Sequence, residues 1–278
     1  MSGTRVQDHY ATAGIVDRAL AALRAIHGAQ IPFTPETLAP IDHFHGRGIL
    51  ATEELAISLD LQPGDHVLDI GCGIGGPARW IAYKFGCRMT GIDLTPEFCE
   101  AARELNDITG MSKWVTILEG SALSLPLPDA TFDRAYSHNV LMNIEDKPAF
   151  YREAFRALKP GGFLVLAHLN AGPNGPPDFP QPWASIPENS FLADDEGTKR
   201  DLAVAGFEIL SFDDHTATSL PAQTTFRKKI ETEGLPPLGV HVLFGPEFLQ
   251  LQLNSLRALE DGHIRPVQIV ARKPSQSV

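Results

Sequence analysis

Val67-Leu68-Asp69-Ile70-Gly71-Cys72-Gly73-Ile74-Gly75-Gly76-Pro77 is the stretch whose reading decides the fold. Val67, Leu68 and Ile70 follow the turn-forming Pro63-Gly64-Asp65 as a short apolar, partly β-branched run, the pattern of a strand buried in a parallel sheet. Ala78 to Phe85 then reads as a helix. Gly71, Gly73 and Gly76 fit G-x-G-x-x-G by position, and without Cβ atoms they permit positive φ and close approach of a ligand. Met89-Thr90-Gly91-Ile92-Asp93 predicts a second strand, and Asp93 lies about 20 residues past the glycines, where a carboxylate accepts both hydroxyls of a ribose. Together the two units predict an adenosine-like ligand. The glycines alone would also suit a tight strand-to-helix turn kept only for packing.

Length and composition bound the reading. A chain of 278 residues is long for one domain but within range for a single α/β domain with insertions. Hydrophobic residues at 43 % supply a large core and argue against wholesale disorder. The net charge of −11 provides no overall field for nucleic acid or an anionic membrane. No apolar run approaches the roughly 20 residues that span a bilayer. The N-terminus also lacks a charged segment followed by an apolar one, so a cytoplasmic location is expected. Cys72, Cys87 and Cys99 are odd in number and lack C-x-x-C spacing, which predicts small apolar fillers, not a disulfide scaffold or a zinc site.

Three regions follow one another. Residues 1–60 read as an N-terminal helical flap, with helices over Ile15 to Ile26 and Thr52 to Leu59, and with Pro32, Pro35 and Pro40 breaking the chain between them. Residues 61–278 form the second unit, in which strands and helices alternate to about residue 170 and predict a doubly wound sheet. From Asn170 the chain turns proline- and glycine-rich, and residues 170–195 read as a substrate lid at the carboxyl edge of the sheet. Asp194 to Ala205 predicts a helix closed by Gly206, and Phe207 to Phe212 a strand. Gln223 to Glu233 and Pro246 to Asp261 predict helices inside an insertion over 220–262. His263 to Arg272 predicts a last strand, with Pro266 favouring an edge or a bulge.

Asp69-x-Gly71-x-Gly73, followed by Gly75-Gly76-Pro77-Ala78-Arg79, resembles motif I of class I S-adenosylmethionine-dependent methyltransferases. The extended form is similar to the branch that holds sterol and tocopherol C-methyltransferases and sarcosine or dimethylglycine N-methyltransferases. Gly91 to Thr95 resembles that family's acidic strand-two motif, Gly120 to Pro126 its adenine loop, Phe132 to His138 its strand four, and Leu158 to Leu166 its helix-turn-strand before the substrate region. The resemblance covers about residues 40 to 215. It implies an α/β fold with a doubly wound, mostly parallel seven-stranded sheet and a last antiparallel strand, plus the helical flap and the helical insertions near the C-terminus.

It also implies S-adenosylmethionine as the cofactor, held by Asp69, Gly71, Gly73, Gly75, Asp93, Leu94, Ser121, Ala122, Ser137 and Phe44. In that picture Asp93 holds the ribose hydroxyls, Gly71 and Gly73 pass the methionine and ribose, and Leu94 and Ala122 flank adenine. Asp69 orders the turn and reaches the methionine amino group, while the loop around Phe44 closes over the methionine end. Ser121 stands where the family usually carries an acid, and a hydroxyl accepts from the adenine amino group more weakly than a carboxylate.

An in-line methyl transfer requires nucleophile, carbon and sulfur to be collinear, and positioning supplies roughly 7 to 11 kcal/mol in the best intramolecular cases. A base is needed only when the acceptor arrives protonated. His138 in Ser137-His138-Asn139-Val140-Leu141-Met142-Asn143 reads as a general base or an acceptor-orienting group, or as a structural hydrogen bond in the loop. Asn143 reads as an orienting group or as the N-cap of a helix starting near Glu145. Tyr10, His168 and Trp183 read as substrate-binding residues, and Tyr10, Phe44, Phe179 and Trp183 could wall a cationic amine or simply fill core. His43 and His45 flank Phe44 without further ligands at metal spacing, so no metal is expected. Arg227-Lys228-Lys229 could grip an anionic acceptor or form a solvated helix face.

The resulting reading is methyl transfer to a small-molecule acceptor, N-methylation first, with C- or O-methylation of a prenyl, phenolic or keto-acid acceptor as the alternative. An NAD-dependent oxidoreductase would use the same glycines and Asp93, but Asp69 before the turn and the later motifs disfavour it. A cofactor-binding protein without catalysis stays open. The reading includes no nucleic acid or membrane partner and allows a homodimer.

Overall fold

In the computed structural model, which describes Gln7 and residues 14–275, seven strands share one sheet: β1 (His66–Ile70), β2 (Arg88–Asp93), β3 (Val115–Glu119), β4 (Phe132–His138), β5 (Leu158–Ala171), β6 (Glu208–Asp214) and β7 (Ile264–Arg272). Tyr10 lies outside the described residues. The strand order is β3-β2-β1-β4-β5-β7-β6, and β7 runs antiparallel to both of its neighbours. β1 pairs with β2 on one side and β4 on the other, which is the switch point beside whose carboxyl ends open α/β sheets bind ligands. Leu68 and Ile70 enter the core layer that holds Phe132, Phe150 and Leu164, whereas Val67 enters the opposite layer with Met89, Tyr136 and Val165. A strand covered on both faces needs apolar side chains on both, hence the continuous apolar run.

Helices α1 (Ile15–His27), α2 (Pro35–Asp42) and α3 (Ile49–Ser58) precede the sheet. Helices α4 (Gly76–Phe85), α5 (Pro96–Ile108), α6 (Lys147–Ala157) and α7 (Asp195–Val204) alternate with strands, and α8 (Thr216–Glu233), α9 (His241–Phe244) and α10 (Glu247–Glu260) fill the insertion between β6 and β7.

Four expectations change. Two of the prolines read as breakers lie within α2 instead, Pro40 near its end and Pro35 in the first turn, where its missing N–H costs nothing; Thr37 N donates to Thr34 Oγ1 at 3.3 Å and Thr34 N donates back to Thr37 Oγ1 at 2.9 Å. Pro266 lies in an interior strand, not an edge. It is tolerated because the β6 ladder ends at Asp214–Val267, and on that side Pro266 only has to accept, from His215 N at 2.8 Å. The helix after β4 is capped by Asp146, whose carboxylate accepts from Ala149 N at 2.9 Å, while Asn143 closes a 3₁₀ turn over Leu141–Asn143. Asn170 and Ala171 still pair with β7 before the lid segment departs.

The first helices are fastened to the sheet in two ways. Ile15, Leu23, Leu38 and Ile41 pack with Ile74 of the glycine turn, with Phe98 and Leu105 of α5, and with Leu243 of α9. Burying aliphatic side chains of that size contributes about 1.5–3 kcal/mol each, so this cluster supplies the net attraction. Beside it the fully buried Arg79 donates to Asp42 Oδ2 at 3.0 Å and Asn106 Oδ1 at 3.1 Å. Desolvation cancels much of the Coulomb gain of such a pair, so it fixes geometry more than it adds stability. The end of α2 is held so close to α4 that a Cβ on Gly76 would stand 2.0 Å from the Asp42 backbone oxygen.

Gly76→Ala is therefore expected to lower the unfolding free energy by at least about 2 kcal/mol in urea titrations. Ile74→Val, which only trims one methyl from the same cluster, should cost about 1 kcal/mol. A Gly76→Ala midpoint equal to that of wild type would contradict the close contact.

Candidate active site

A cavity of about 1000 Å³ opens at the carboxyl ends of β1, β2 and β4. Gly71, Gly73, Asp93, Leu94, Ser121 and Ala122 line it from the sheet, and Phe44, His45 and the loop to Ile49 line it from the first helices. Gly71 and Gly73 have φ of 83° and 53°, a region costly for side chains. Gly71 N and Cys72 N both donate to Ile92 O, at 2.8 and 3.0 Å, which wraps the turn onto β2.

Asp93 closes the same turn: its Oδ2 accepts from Gly73 N at 2.8 Å and its Oδ1 from Thr95 N at 2.9 Å. Burial pushes its pKa up while these N–H donors pull it down. Asp93 also lines the cavity, a position that suits a carboxylate accepting from a ribose diol. Leu94, Ala122 and Leu123 supply apolar surface for a purine, and Phe44 stands 3.8 Å from the position of a Cβ on Gly73, covering the turn. Gln7 Nε2 donates to Leu94 O at 2.8 Å, so the chain before α1 also reaches this cradle. The residues present thus fit an adenosine-bearing cofactor. Ser121 lines the cavity with its Oγ already accepting from Leu123 N at 3.2 Å.

Four residues expected at the ligand stand outside the cavity wall. Asp69 is buried beneath the turn and accepts from Tyr136 OH at 2.7 Å; burial, with a contribution from Asp93, pushes it up to about 7. Ser137 Oγ donates to Ile70 O at 2.8 Å and so ties β4 to β1. Gly75 precedes α4 and packs toward Ala102 and Ile117. His168 is buried in β5, its Nε2 3.1 Å from Asn170 Oδ1, and Asn170 in turn donates to Asp195 Oδ1 at 2.9 Å. Asp69 and Ser137 thus make their side-chain hydrogen bonds inside the protein, whereas His168 Nδ1 is buried without a partner.

His138, Asn143 and Trp183 do meet at the cavity. Asn143 Nδ2 donates to Trp183 O at 2.6 Å, and Trp183 Nε1 donates to Ser190 Oγ at 2.9 Å. Phe191 N reaches Met142 O at 2.8 Å, and Lys147 Nζ bonds both Ile144 O and Phe191 O, so the segment around Phe191 is pinned to the loop after β4. The His138 ring stacks on His45 at 3.6 Å and 7°, and His43 meets His45 edge-on at 5.8 Å. Burial, then His43 and His168, pushes His138 down to about 3, and burial lowers His43 and His45 as well. His138 Nδ1 is buried without a hydrogen-bond partner. Among the described residues no group of three or more His, Cys, Asp or Glu side chains is arranged to hold a metal ion.

Sequence reasoning missed the His45–His138 stack, the Asp42–Arg79 pair and the cavity wall that α8–α10 supply. The spacing of Phe244, Phe248 and Leu251 along that wall was readable, but nothing in it distinguishes a cavity lining from ordinary core.

Residues 68–166 match the family model described as a methyltransferase domain. Phosphoethanolamine N-methyltransferase 3 of Arabidopsis thaliana is 35 % identical over 171 residues, which is 61 % of this chain and 34 % of that protein. Sarcosine/dimethylglycine N-methyltransferase of Halorhodospira halochloris is 28 % identical over 161 residues, 58 % of each chain. The crystal structure of the [4+2]-cyclase SpnF shares the fold, with a TM-score of 0.67, 23 % identity, and coverage of 99 % of this chain and 97 % of that one. The chain thus spans about a third of the first relative's length and somewhat over half of the second's. Residues 68–166 thus carry a methyltransferase domain. No described helix is long and apolar enough to cross a membrane.

Two variants check the electrostatics. Asp93→Ala should weaken S-adenosylhomocysteine binding at least about tenfold by calorimetry, the loss of charge-assisted bonds to the ribose; unchanged affinity would contradict the cradle. Asp69 has a folded-state pKa raised above that of an unfolded aspartate. Its contribution to stability is therefore full below about pH 4 and lost as pH rises through about 7. Asp69→Asn, which keeps an acceptor for Tyr136, should raise Tm relative to wild type more at pH 8 than at pH 5, and a pH-independent difference would contradict the assignment.

Proposed function

We propose that this protein transfers the methyl group of S-adenosylmethionine to a nitrogen of a small-molecule acceptor. The observation that carries the reading is the space beyond the Gly71–Gly73–Asp93 cradle, lined by His45, His138 and Asn143, whose imidazoles burial makes only weakly basic. Bound S-adenosylmethionine supplies a methyl group on a sulfonium. The acceptor's lone pair forms the new bond to carbon as the carbon–sulfur bond breaks, and S-adenosylhomocysteine leaves.

A hydroxyl or carbon acid must lose its proton to a nearby base, and His138, held near 3, is a poor one. An amine that enters neutral needs no base and sheds its proton to water only after methylation. His138 lines the space with its ring, while its Nδ1 is turned into the protein, buried and unpartnered. Phe44 and His45 cover the cradle, and Asn143 with Trp183 holds the lid, so positioning and exclusion of water carry the rate. The likeness to two N-methyltransferases supports nitrogen. The charge of −11 supports a protein that does not work on nucleic acid, and the three buried thiols support a cytoplasmic location.

One observation favours a second reading. The likeness to a [4+2]-cyclase extends over nearly the whole chain, so the same cavity could serve cofactor-bound chemistry other than methyl transfer. Methyl-labelled S-adenosylmethionine offered with amines, phenols and prenyl compounds separates the two. Label in amines supports the proposal; label only on oxygen or carbon, or none although S-adenosylhomocysteine binds, contradicts it. The rate adds an independent check, since a histidine held near 3 is already neutral above pH 5. The pH profile of kcat/KM should follow the acceptor amine alone, and an inflection near 6.5 that His138→Gln abolishes would show that a histidine base operates.

A further inference from the structure

The outer part of the cavity is built by the insertion. Phe226 of α8, Val240 of the connecting segment, Phe244 of α9, and Phe248, Leu251 and Leu256 of α10 line it, with Met142, Leu169 and Trp183 opposite. Phe248, Leu251, Gln252 and Ser255 follow helical spacing, so one face of α10 is turned to the cavity. Its Ala258 and Leu259 pack instead with Met142, Trp183 and Ile264, which anchors the helix. A volume of about 1000 Å³ sits at the upper end of the roughly 300–1,000 Å³ of single-ligand pockets, leaving space for a second molecule beside the cofactor.

The charges of the wall are already spoken for. Among the described lining residues two guanidiniums occur: Arg47 is held by both oxygens of Glu54, and Arg227 pairs with Glu260 at 2.8 Å and Glu231 at 3.9 Å. No lysine lines the space, whereas Glu36, Glu145 and Glu247 do, with Lys84 3.6 Å from Glu36. The imidazoles of His43, His45, His138 and His241 are held toward their neutral forms by burial. An anionic group entering here would lose its water and find no uncommitted cation.

We infer that the acceptor is a bulky lipophilic amine, its apolar body lodged between α8 and α10 and its nitrogen directed toward His138. This rests on the methyl-transfer reading and narrows it. The phosphorylated and carboxylate-bearing amines named in the relatives are poor ligands of this chain. An apolar surrounding also favours the neutral, nucleophilic form of the amine over its ammonium.

The test uses protein saturated with S-adenosylhomocysteine and titrated with N-methylalkylamines from butyl to decyl, with sarcosine, and with phosphoethanolamine. Affinity should rise about three- to fourfold per added methylene, and sarcosine and phosphoethanolamine should fall below the butyl compound. Phe248→Ser with Leu251→Ser should flatten the series and weaken the decyl compound at least tenfold, with S-adenosylhomocysteine affinity unchanged. Phe226→Ser, on the exposed rim, should do so more mildly and guards against a variant that fails to fold. A series independent of chain length, or tighter binding of sarcosine or phosphoethanolamine, overturns the inference. Absence of S-adenosylhomocysteine binding at the outset would overturn the methyl-transfer reading itself, so the two failures are distinguishable.

Discussion

The contact between the backbone of Asp42 and the backbone of Gly76 is the constraint on which the rest of the structure depends. α4 can begin where it does only because a glycine stands there, and α2 can end against it only because the buried Arg79 receives the buried Asp42 carboxylate. The next residues after Asp42 are His43, Phe44 and His45, so the position of that carboxylate sets the roof of the cavity. Removing one partner of such a buried pair leaves an uncompensated charge, a cost of about 3–5 kcal/mol, far more than the pair adds when intact. Coupling between roof and turn is therefore steep even though the pair adds little net stability.

The electrostatic character of the site follows from the same closure. His138 and His45 stack with no water between them, and a proton on either ring would be costly in that surrounding. Under the proposed function, neutral rings there would place no positive charge against a sulfonium and would present flat surface to an acceptor. The carboxylate that remains, Asp93, has both oxygens fixed by backbone N–H groups, so it is oriented before any ligand arrives.

Legibility in the sequence tracked how local each requirement is. Gly71, Gly73 and Asp93 were readable because a turn of that kind demands particular backbone freedom and one acid at a fixed distance. Asp69 and Ser137 sit within strands, where neighbouring side chains point to opposite faces, and the direction each takes was not readable; Asp69 accepts from Tyr136, and Ser137 donates to the β1 backbone. The same holds for His168, which lies inside β5. Pro35 misled because proline stops a helix from within yet suits its first turn. The insertion wall and Arg79 were illegible for another reason: a helical apolar stripe or a lone arginine has the same signature whether it meets a ligand, a core or a carboxylate thirty-seven positions away.

Amide hydrogen exchange with and without S-adenosylhomocysteine tests most directly whether turn and roof act as one site. The structure predicts that the ligand protects residues 71–75 and 43–49 together, to a similar degree, because the Asp42–Arg79 pair couples them. Protection confined to residues 71–75 and Asp93, with the amides of 43–49 exchanging as before, would contradict the coupling.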